Sequence, residues 1–282
     1  MKIQWYPGHM TKAKRMMTED IKLIDLVIEL LDARIPISSR NPDIDTLAKG
    51  KSRLILLNKS DLADDKTCRE WISFFESKSL RVIMLDARQK SNMKLINNAI
   101  LEVCHEKIER DRRKGIINRP IRAMVAGIPN VGKSTFINSF AGKACAKTGN
   151  KPGVTKGKQW IRLNKNVELL DTPGILWPKF DDETVGTHLA FIGSINDQII
   201  NLPELALEFF EAVKKNYADE LVKRYDIEIG DNLKMLNDVA TKRGCIKKGA
   251  EPDYEKAAAL IFDDFRSGKI GKISLETPKE YQ

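Results

Sequence analysis

Gly127-Ile128-Pro129-Asn130-Val131-Gly132-Lys133-Ser134 follows the apolar run Ile121-Arg122-Ala123-Met124-Val125-Ala126 and opens residues 133–141, whose apolar positions recur at helical spacing. A strand, a glycine loop and a helix in that order predict a phosphate-binding turn. The glycines let backbone N–H groups point inward, Lys133 adds a point charge, and the helix start adds the positive end of its dipole. Ser134 offers a hydroxyl to a Mg²⁺ ion, and Val131, Gly132 and Thr135 complete the cradle. Working outward, three more short, β-branched-rich runs lie upstream. Residues 26–31 lead into Asp32-Ala33-Arg34, residues 53–57 into Asn58-Lys59-Ser60-Asp61, and residues 81–85 into Asp86-Ala87-Arg88. Such runs suit buried parallel strands that end in ligand-facing loops. Helical stretches are predicted over 12–22, 63–78 and 91–113. The alternation makes the fold class α/β, a doubly wound, mostly parallel sheet of the P-loop kind.

Downstream, residues 159–163 and 167–170 alternate as an antiparallel or edge pair. The second of these leads into Asp171-Thr172-Pro173-Gly174. An aspartate there binds Mg²⁺ through water, and the Gly174 N–H reaches a γ-phosphate. Lys151-Pro152-Gly153-Val154-Thr155 stands between the two motifs, where Thr155 would close on Mg²⁺ and γ-phosphate in a triphosphate state. Upstream, Asn58 and Asp61 suit guanine. A carboxylate accepting from N1–H and the 2-amino group rejects adenine, which lacks that donor pair. The Lys59 stem would cover a ring face, Ser60 completes the tetrapeptide, and Asp86-Ala87 fits a slot where a backbone N–H meets the guanine O6. The expected ligands are GTP or GDP with Mg²⁺. An ordinary GTPase carries the phosphate loop first and the base-reading element near the end. Here the order is base, phosphate, magnesium, a cyclic rotation of the set.

A Ras-type enzyme has a water-orienting glutamine after the last motif; this chain has Ile175, which can neither orient nor deprotonate water. Of the histidines, His105 sits in a charged stretch, His188 in the helical tail, and His9 in Trp5-Tyr6-Pro7-Gly8-His9-Met10. That rigid aromatic-Pro-Gly turn either presents His9 or packs its aromatics on the sheet and leaves the imidazole exposed. Charge compensation is also wanting. Asn130, in the Pro129-Asn130-Val131-Gly132 form of the loop, resembles GTPases that hold K⁺ beside the phosphates, which implies Asn130 as a K⁺ ligand; Arg34 and Arg88 are other cationic candidates.

Residues 105–114, closed by Gly115, read as a charged helix end and linker at the join that a rotation would create. After Pro178 the strand pattern stops, and residues 184–192, 203–217, 231–243 and 253–267 carry helical spacing with stops at Gly230, Gly244 and Gly268. Two domains are expected, 1–178 and an all-helical 179–282. The formal net charge of +9 favours polyanionic partners. The four cysteines, Cys68, Cys104, Cys145 and Cys245, make no zinc-ligand or disulfide pattern and suit a reducing compartment. No apolar run nears the roughly 20 residues that span a bilayer, and the first ten residues lack a signal-peptide core. The expected location is the cytoplasm, away from membranes.

The Trp5–Met10 stretch, Asp32-Ala33-Arg34, Asn58–Asp61, the phosphate loop, residues 152–155 and Asp171–Gly174, in this order, resemble the circularly permuted GTPases. Among these the chain is most similar to the ribosome biogenesis GTPase A family, bacterial factors for assembly of the large ribosomal subunit. The resemblance covers residues 5–177, and the helical tail has the length expected of the family. It implies a weak GTPase, stimulated by the large subunit or its precursor, acting as a monomer in late maturation. His9 would take the place of the missing glutamine. The helical tail would contact rRNA through basic residues such as Lys214, Lys215, Lys223, Arg224, Lys242, Arg243, Lys247 and Lys248, with ribosomal proteins nearby. One departure stands out: Asp86 occupies a position where the family usually has serine, which puts the O6 contact in doubt. A tRNA-modifying or small-subunit GTPase fits neither the motif order nor the lack of a KH-type GXXG unit. A pure binding module, with no timing role for hydrolysis, is the competing functional reading.

Overall fold

The computed structural model describes residues 17–89, 92–117, 119–142, 159–171 and 182–281. His9, residues 151–155, Gly174 and Ile175 lie outside the described residues, as does the side chain of Asp171.

The apolar runs form one six-stranded sheet: β1 (Leu26–Asp32), β2 (Ser52–Asn58), β3 (Arg81–Leu85), β4 (Ile121–Ala126), β5 (Gln159–Arg162) and β6 (Val167–Asp171). The strand order is β3-β2-β1-β4-β6-β5. All neighbours run parallel except β5, which turns back antiparallel along β6 at the edge, as the alternating pattern predicted. β1 is buried at every position, which fits its mostly apolar sequence; its one interior charge, Glu29, is paired with Arg40 and Arg53. The order advances from β1 through β2 to β3 on one side and from β4 to β6 on the other. The switch point therefore lies between β1 and β4, where open α/β sheets bind ligands beyond the carboxyl ends of their strands. The loops after β1, β2, β3 and β4 all leave from that end.

Helices follow the expected segments with two differences. The stretch foreseen over 91–113 is two helices, Met93–Val103 and His105–Arg113, separated at Cys104. The break lets Lys107 turn inward to pair with Asp111 at 2.9 Å and Asp25 at 3.5 Å. The predicted linker thus has a fixed helical form. In the tail, residues 203–217 were expected as one helix. The chain instead forms Leu202–Val213, turns, and makes a further short helix, Ala218–Tyr225. That helix buries Leu221 and Tyr225, an i, i+4 pair too short to register as periodicity.

Helices Glu183–Phe191, Leu202–Val213, Asn232–Lys242 and Tyr254–Ser267 meet around Phe209. Its ring lies 4.9 Å from Phe265 and 5.3 Å from Phe191. One buried apolar cluster runs without a break from Leu26 and Ile28 of the sheet to Phe209 and Phe262. After the last helix the chain returns to the sheet as a strap. Ile273 N–H donates to Leu62 O at 3.0 Å, Leu275 N–H to Arg34 O at 2.9 Å, and Trp71 Nε1 to Glu276 O at 3.2 Å.

Candidate functional site

The phosphate loop begins where β4 runs into Gly127. A Cβ there would lie 2.8 Å from the Leu30 carbonyl oxygen, so a close approach of backbones requires glycine. Asn130 adopts a left-handed conformation (φ 60°) and Gly132 another (φ 99°). A Cβ at Gly132 would fall 2.5 Å from Asn58 Nδ2. Gly132 is also the cap of helix Lys133–Ala141, and no side chain caps that helix's first N–H groups. An uncapped helix start beside glycine backbone is a ready anion site. Lys133 curls over the loop, its Nζ donating to Gly127 O at 2.9 Å and Ile128 O at 3.0 Å. Ser134 and Thr135 are half-buried in the first turn.

Asn58 joins this loop to the loop after β3. Its amide donates to Val131 O at 2.7 Å, while its carbonyl accepts from Ala87 N–H at 3.0 Å. Ser139 on the following helix donates to Ala87 O at 2.6 Å. The three sequence motifs after β2, β3 and β4 therefore converge on one side chain. The Ala87 N–H, expected to meet a guanine O6, is already engaged by Asn58, and Arg88 N–H is engaged by Asp86 Oδ1 at 3.0 Å. Asp61 stands at the rim beside Arg88, with Asp61 Oδ2 accepting from Arg88 Nη2 at 2.5 Å.

Lys59, with φ 58°, reaches back to Asp32, its Nζ lying 3.1 Å from Asp32 Oδ2. Asp32 is wholly buried and bonded twice by Arg34, Nε at 2.9 Å and Nη2 at 2.8 Å. Burial raises the Asp32 carboxyl, but Arg34 and Lys59 more than reverse that and hold it far below the usual carboxylate range. Burial lowers the Lys59 ammonium, and Asp32 offsets only part of the effect. Hydrogen bonding from Arg88 lowers Asp86 in the same sense as Asp32. Arg34 was a cationic candidate for compensating phosphate charge. It is fully buried, its guanidinium 4.8 Å over the Phe265 ring, so it is a structural pair for Asp32. Arg88, the other candidate, is largely exposed and pairs with Asp86 and Asp61 beyond the ends of β2 and β3.

Two supports had no signal in the sequence because their partners are remote. Asn130 Nδ2 donates to Gly193 O at 2.5 Å, and Ser194 Oγ to Pro129 O at 2.8 Å, so the turn after helix Glu183–Phe191 sits on the phosphate loop. Arg266 fixes that turn by donating to Ala190 O and Phe191 O. Under the Asp32 loop, Glu276 accepts from Ile37 N–H at 2.8 Å and Ser38 N–H at 3.0 Å. His188 Nδ1 completes the group, 3.1 Å from Glu276 and 3.2 Å from Ser38 Oγ. Its burial here removes it from any role at the phosphates.

A family model described as "50S ribosome-binding GTPase" matches residues 122–239. Along its whole length the chain is 49% identical to ribosome biogenesis GTPase A of Bacillus cereus, spanning 96% of that protein. The chain belongs to the ribosome biogenesis GTPase A family. A more distant member, ribosome biogenesis GTPase A of Thermotoga maritima, is 34% identical over 99% of this chain and 95% of its own. A GDP-bound structure of YlqF from Thermotoga maritima superposes with a TM-score of 0.70 at 31% identity, covering 94% of this chain and all of that one. The GNP-bound YlqF gives 0.67 at 30% identity, covering 95% and 99%. The fold is thus that of a circularly permuted P-loop GTPase, and the order of β2, β3 and β4 along the chain is the rotation itself. Among the described residues no helix is long and apolar enough to cross a membrane.

Proposed function

We propose that this protein is a GTP-hydrolysing assembly factor that binds the precursor of the large ribosomal subunit in its GTP state. Subunit-stimulated hydrolysis then releases it, late in maturation and in the cytoplasm, where it acts as a monomer. The observation that carries the nucleotide part is the convergence of three motif loops on Asn58, which fixes the spacing between a phosphate cradle and the Asp61 carboxylate. The assembly role rests on the names its relatives carry.

In this reading Asp61 and Lys59 hold guanine, and the loop N–H groups of residues 130–135 with Lys133 hold the phosphates. Ser134, Thr155 and, through water, Asp171 would hold Mg²⁺; hydroxyl and carboxylate oxygens are the donors such a hard cation takes. The metal would supply charge neutralisation at the phosphates. The Asn130 carboxamide oxygen would hold K⁺. With Ile175 unable to handle water, His9 is the proposed water-orienting group, and Thr155 and Gly174 would sense the γ-phosphate. The division into 1–178 and 179–282 is proposed as a nucleotide unit and an rRNA unit.

Four of the eight basic residues named for rRNA are tied down: Lys214 to Glu211, Arg224 to Asp264, Lys242 to Asp226, and Arg243 to the Arg224 carbonyl. Among the described residues Lys215, Lys223, Lys247 and Lys248 make no ion pair, and these four are the proposed phosphate contacts. Turnover measured with and without purified large subunits tests the reading. Stimulation that His9→Ala abolishes, with cosedimentation retained, is the expected result; unstimulated turnover would make the protein a binding module. Replacing K⁺ by Na⁺ should lower the rate if Asn130 holds the cation.

A further inference from the structure

The phosphate loop needs a left-handed turn at Asn130, where φ is 60°. That conformation costs an L-residue free energy, least for asparagine, and the surroundings have to hold it. Two bonds from outside the loop do so. Gly193 O accepts from the Asn130 carboxamide at 2.5 Å, and Ser194 Oγ donates to Pro129 O at 2.8 Å. This clasp takes a side chain and a carbonyl from the loop. It shapes the loop without using the N–H groups that a phosphate needs.

The Gly193–Ser194 turn is itself held by Arg266, which belongs to the last tail helix, Tyr254–Ser267. Arg266 Nε donates to Phe191 O at 2.9 Å and Nη2 to Ala190 O at 2.8 Å, the last two residues of helix Glu183–Phe191. A guanidinium there meets the negative end of the helix dipole. Asp197 grips the same group at two points, Oδ2 accepting from Nη1 at 2.6 Å and Oδ1 from Nη2 at 2.9 Å, which fixes its direction. Gly193 lies against the guanidinium. Its φ is 75°, and a Cβ there would come within 3.0 Å of Arg266 Cζ, so glycine is required on both counts.

We propose that Arg266 is a positioning residue for the phosphate loop: by fixing the Gly193–Ser194 turn it holds residues 129 and 130 in the shape that grips a β-phosphate. The inference rests on the reading of residues 130–135 with Lys133 as the phosphate cradle. The grip on nucleotide phosphate then depends on the last tail helix being docked. The same helix end also reaches the Asp32 loop, where Arg34 lies over the ring of Phe265.

The test measures GDP and GMP binding to the full chain by competition. GMP keeps the base, ribose and α-phosphate but lacks the β-phosphate that the loop and Lys133 would hold. Arg266→Ala is expected to weaken GDP about tenfold and GMP less than about twofold. A variant that is only less stable loses both nucleotides in proportion, so an unchanged preference for GDP over GMP overturns the proposal. Ser194→Ala removes one bond of the clasp and leaves Arg266 its own contacts. It should lower the same preference about threefold, and it decides the matter alone if Arg266→Ala does not fold: a native preference in Ser194→Ala then overturns the proposal. The double variant should lose little more than Arg266→Ala, because both act through one turn; fully additive losses would also overturn it. A Lys133→Ala variant separates the underlying reading. If it keeps the native preference for GDP, the cradle itself is refuted whatever Arg266 does.

Discussion

Asn58 shows how much one carboxamide can carry. Its two polar ends bond a carbonyl on one loop and an N–H on another, both out of water. Asn58→Ala strands both groups, so a stability loss of about 2 kcal/mol or more is expected in urea titration, with a clear fall in nucleotide affinity. Asp32 is the second such residue. Asp32→Asn leaves Arg34 and Lys59 with an uncompensated buried charge and should cost about 3–5 kcal/mol. The pH dependence follows from the lowered Asp32 carboxyl. A carboxyl depressed by folding stabilises above its unfolded value and loses that contribution as pH falls through its folded one. The gap between native chain and Asp32→Asn should hold constant from pH 7 to about pH 5 and narrow below about pH 4. Urea midpoints at stepped pH measure it. The sequence made Asn58, Lys133 and Gly132 legible because they sit at strand ends in fixed motifs. Arg34 was misread as available because its aromatic and carbonyl partner, Phe265, lies far along the chain.

The parallel strands were readable one by one, since each is a largely apolar run with a motif at its end, and β5 by its alternation with β6. Helices were readable where a long amphipathic stripe existed and not where a turn divided it, as at the buried Cys104 and after Val213. Helix placement also has a chemical consequence for the thiols. Cys68, on the inner face of helix Asp65–Ser77, is pushed up to about 12 by burial, with Asp65 and Asp64 adding to it. Cys104, between two helices, is pushed up to about 11 by burial. Thiolates are the reactive form, so both should resist a disulfide reagent at pH 7.5 until the chain unfolds. Peptide mapping of early and late modification would check this; prompt labelling at either site would show that its helix opens readily.

Across the whole molecule, the buried core is continuous from the sheet into the tail helices. The proposed nucleotide and rRNA units are therefore expected to unfold together. Tryptophan fluorescence and far-ultraviolet circular dichroism should give coincident urea transitions; a resolved second step would mean that the contact between them is weak. Glu276 is the sharpest probe of that contact, because its carboxylate serves two N–H groups and His188 in a buried site. Glu276→Ala should lower stability by about 3 kcal/mol in urea, with a smaller loss for Glu276→Gln. None of this joint was legible beforehand. A buried carboxylate looks like any surface glutamate when the two N–H groups it serves stand more than two hundred positions away.

The strap has a further meaning for how the protein is made. Trp71 is covered by residues 276 and 281, and the Asp32 loop is floored by Glu276 and Leu275. On a chain synthesised from its amino end, the half that carries Asn58 and Asp61 emerges first, yet it lacks its own floor until Leu275 and Glu276 have followed, more than two hundred positions later. Closing so long a loop is entropically slow and comes late in folding. The loops after β1 and β2, which we propose for guanine, are then expected to gain their floor only once residues 275 and 276 have been made, so their order reports that the tail is in place.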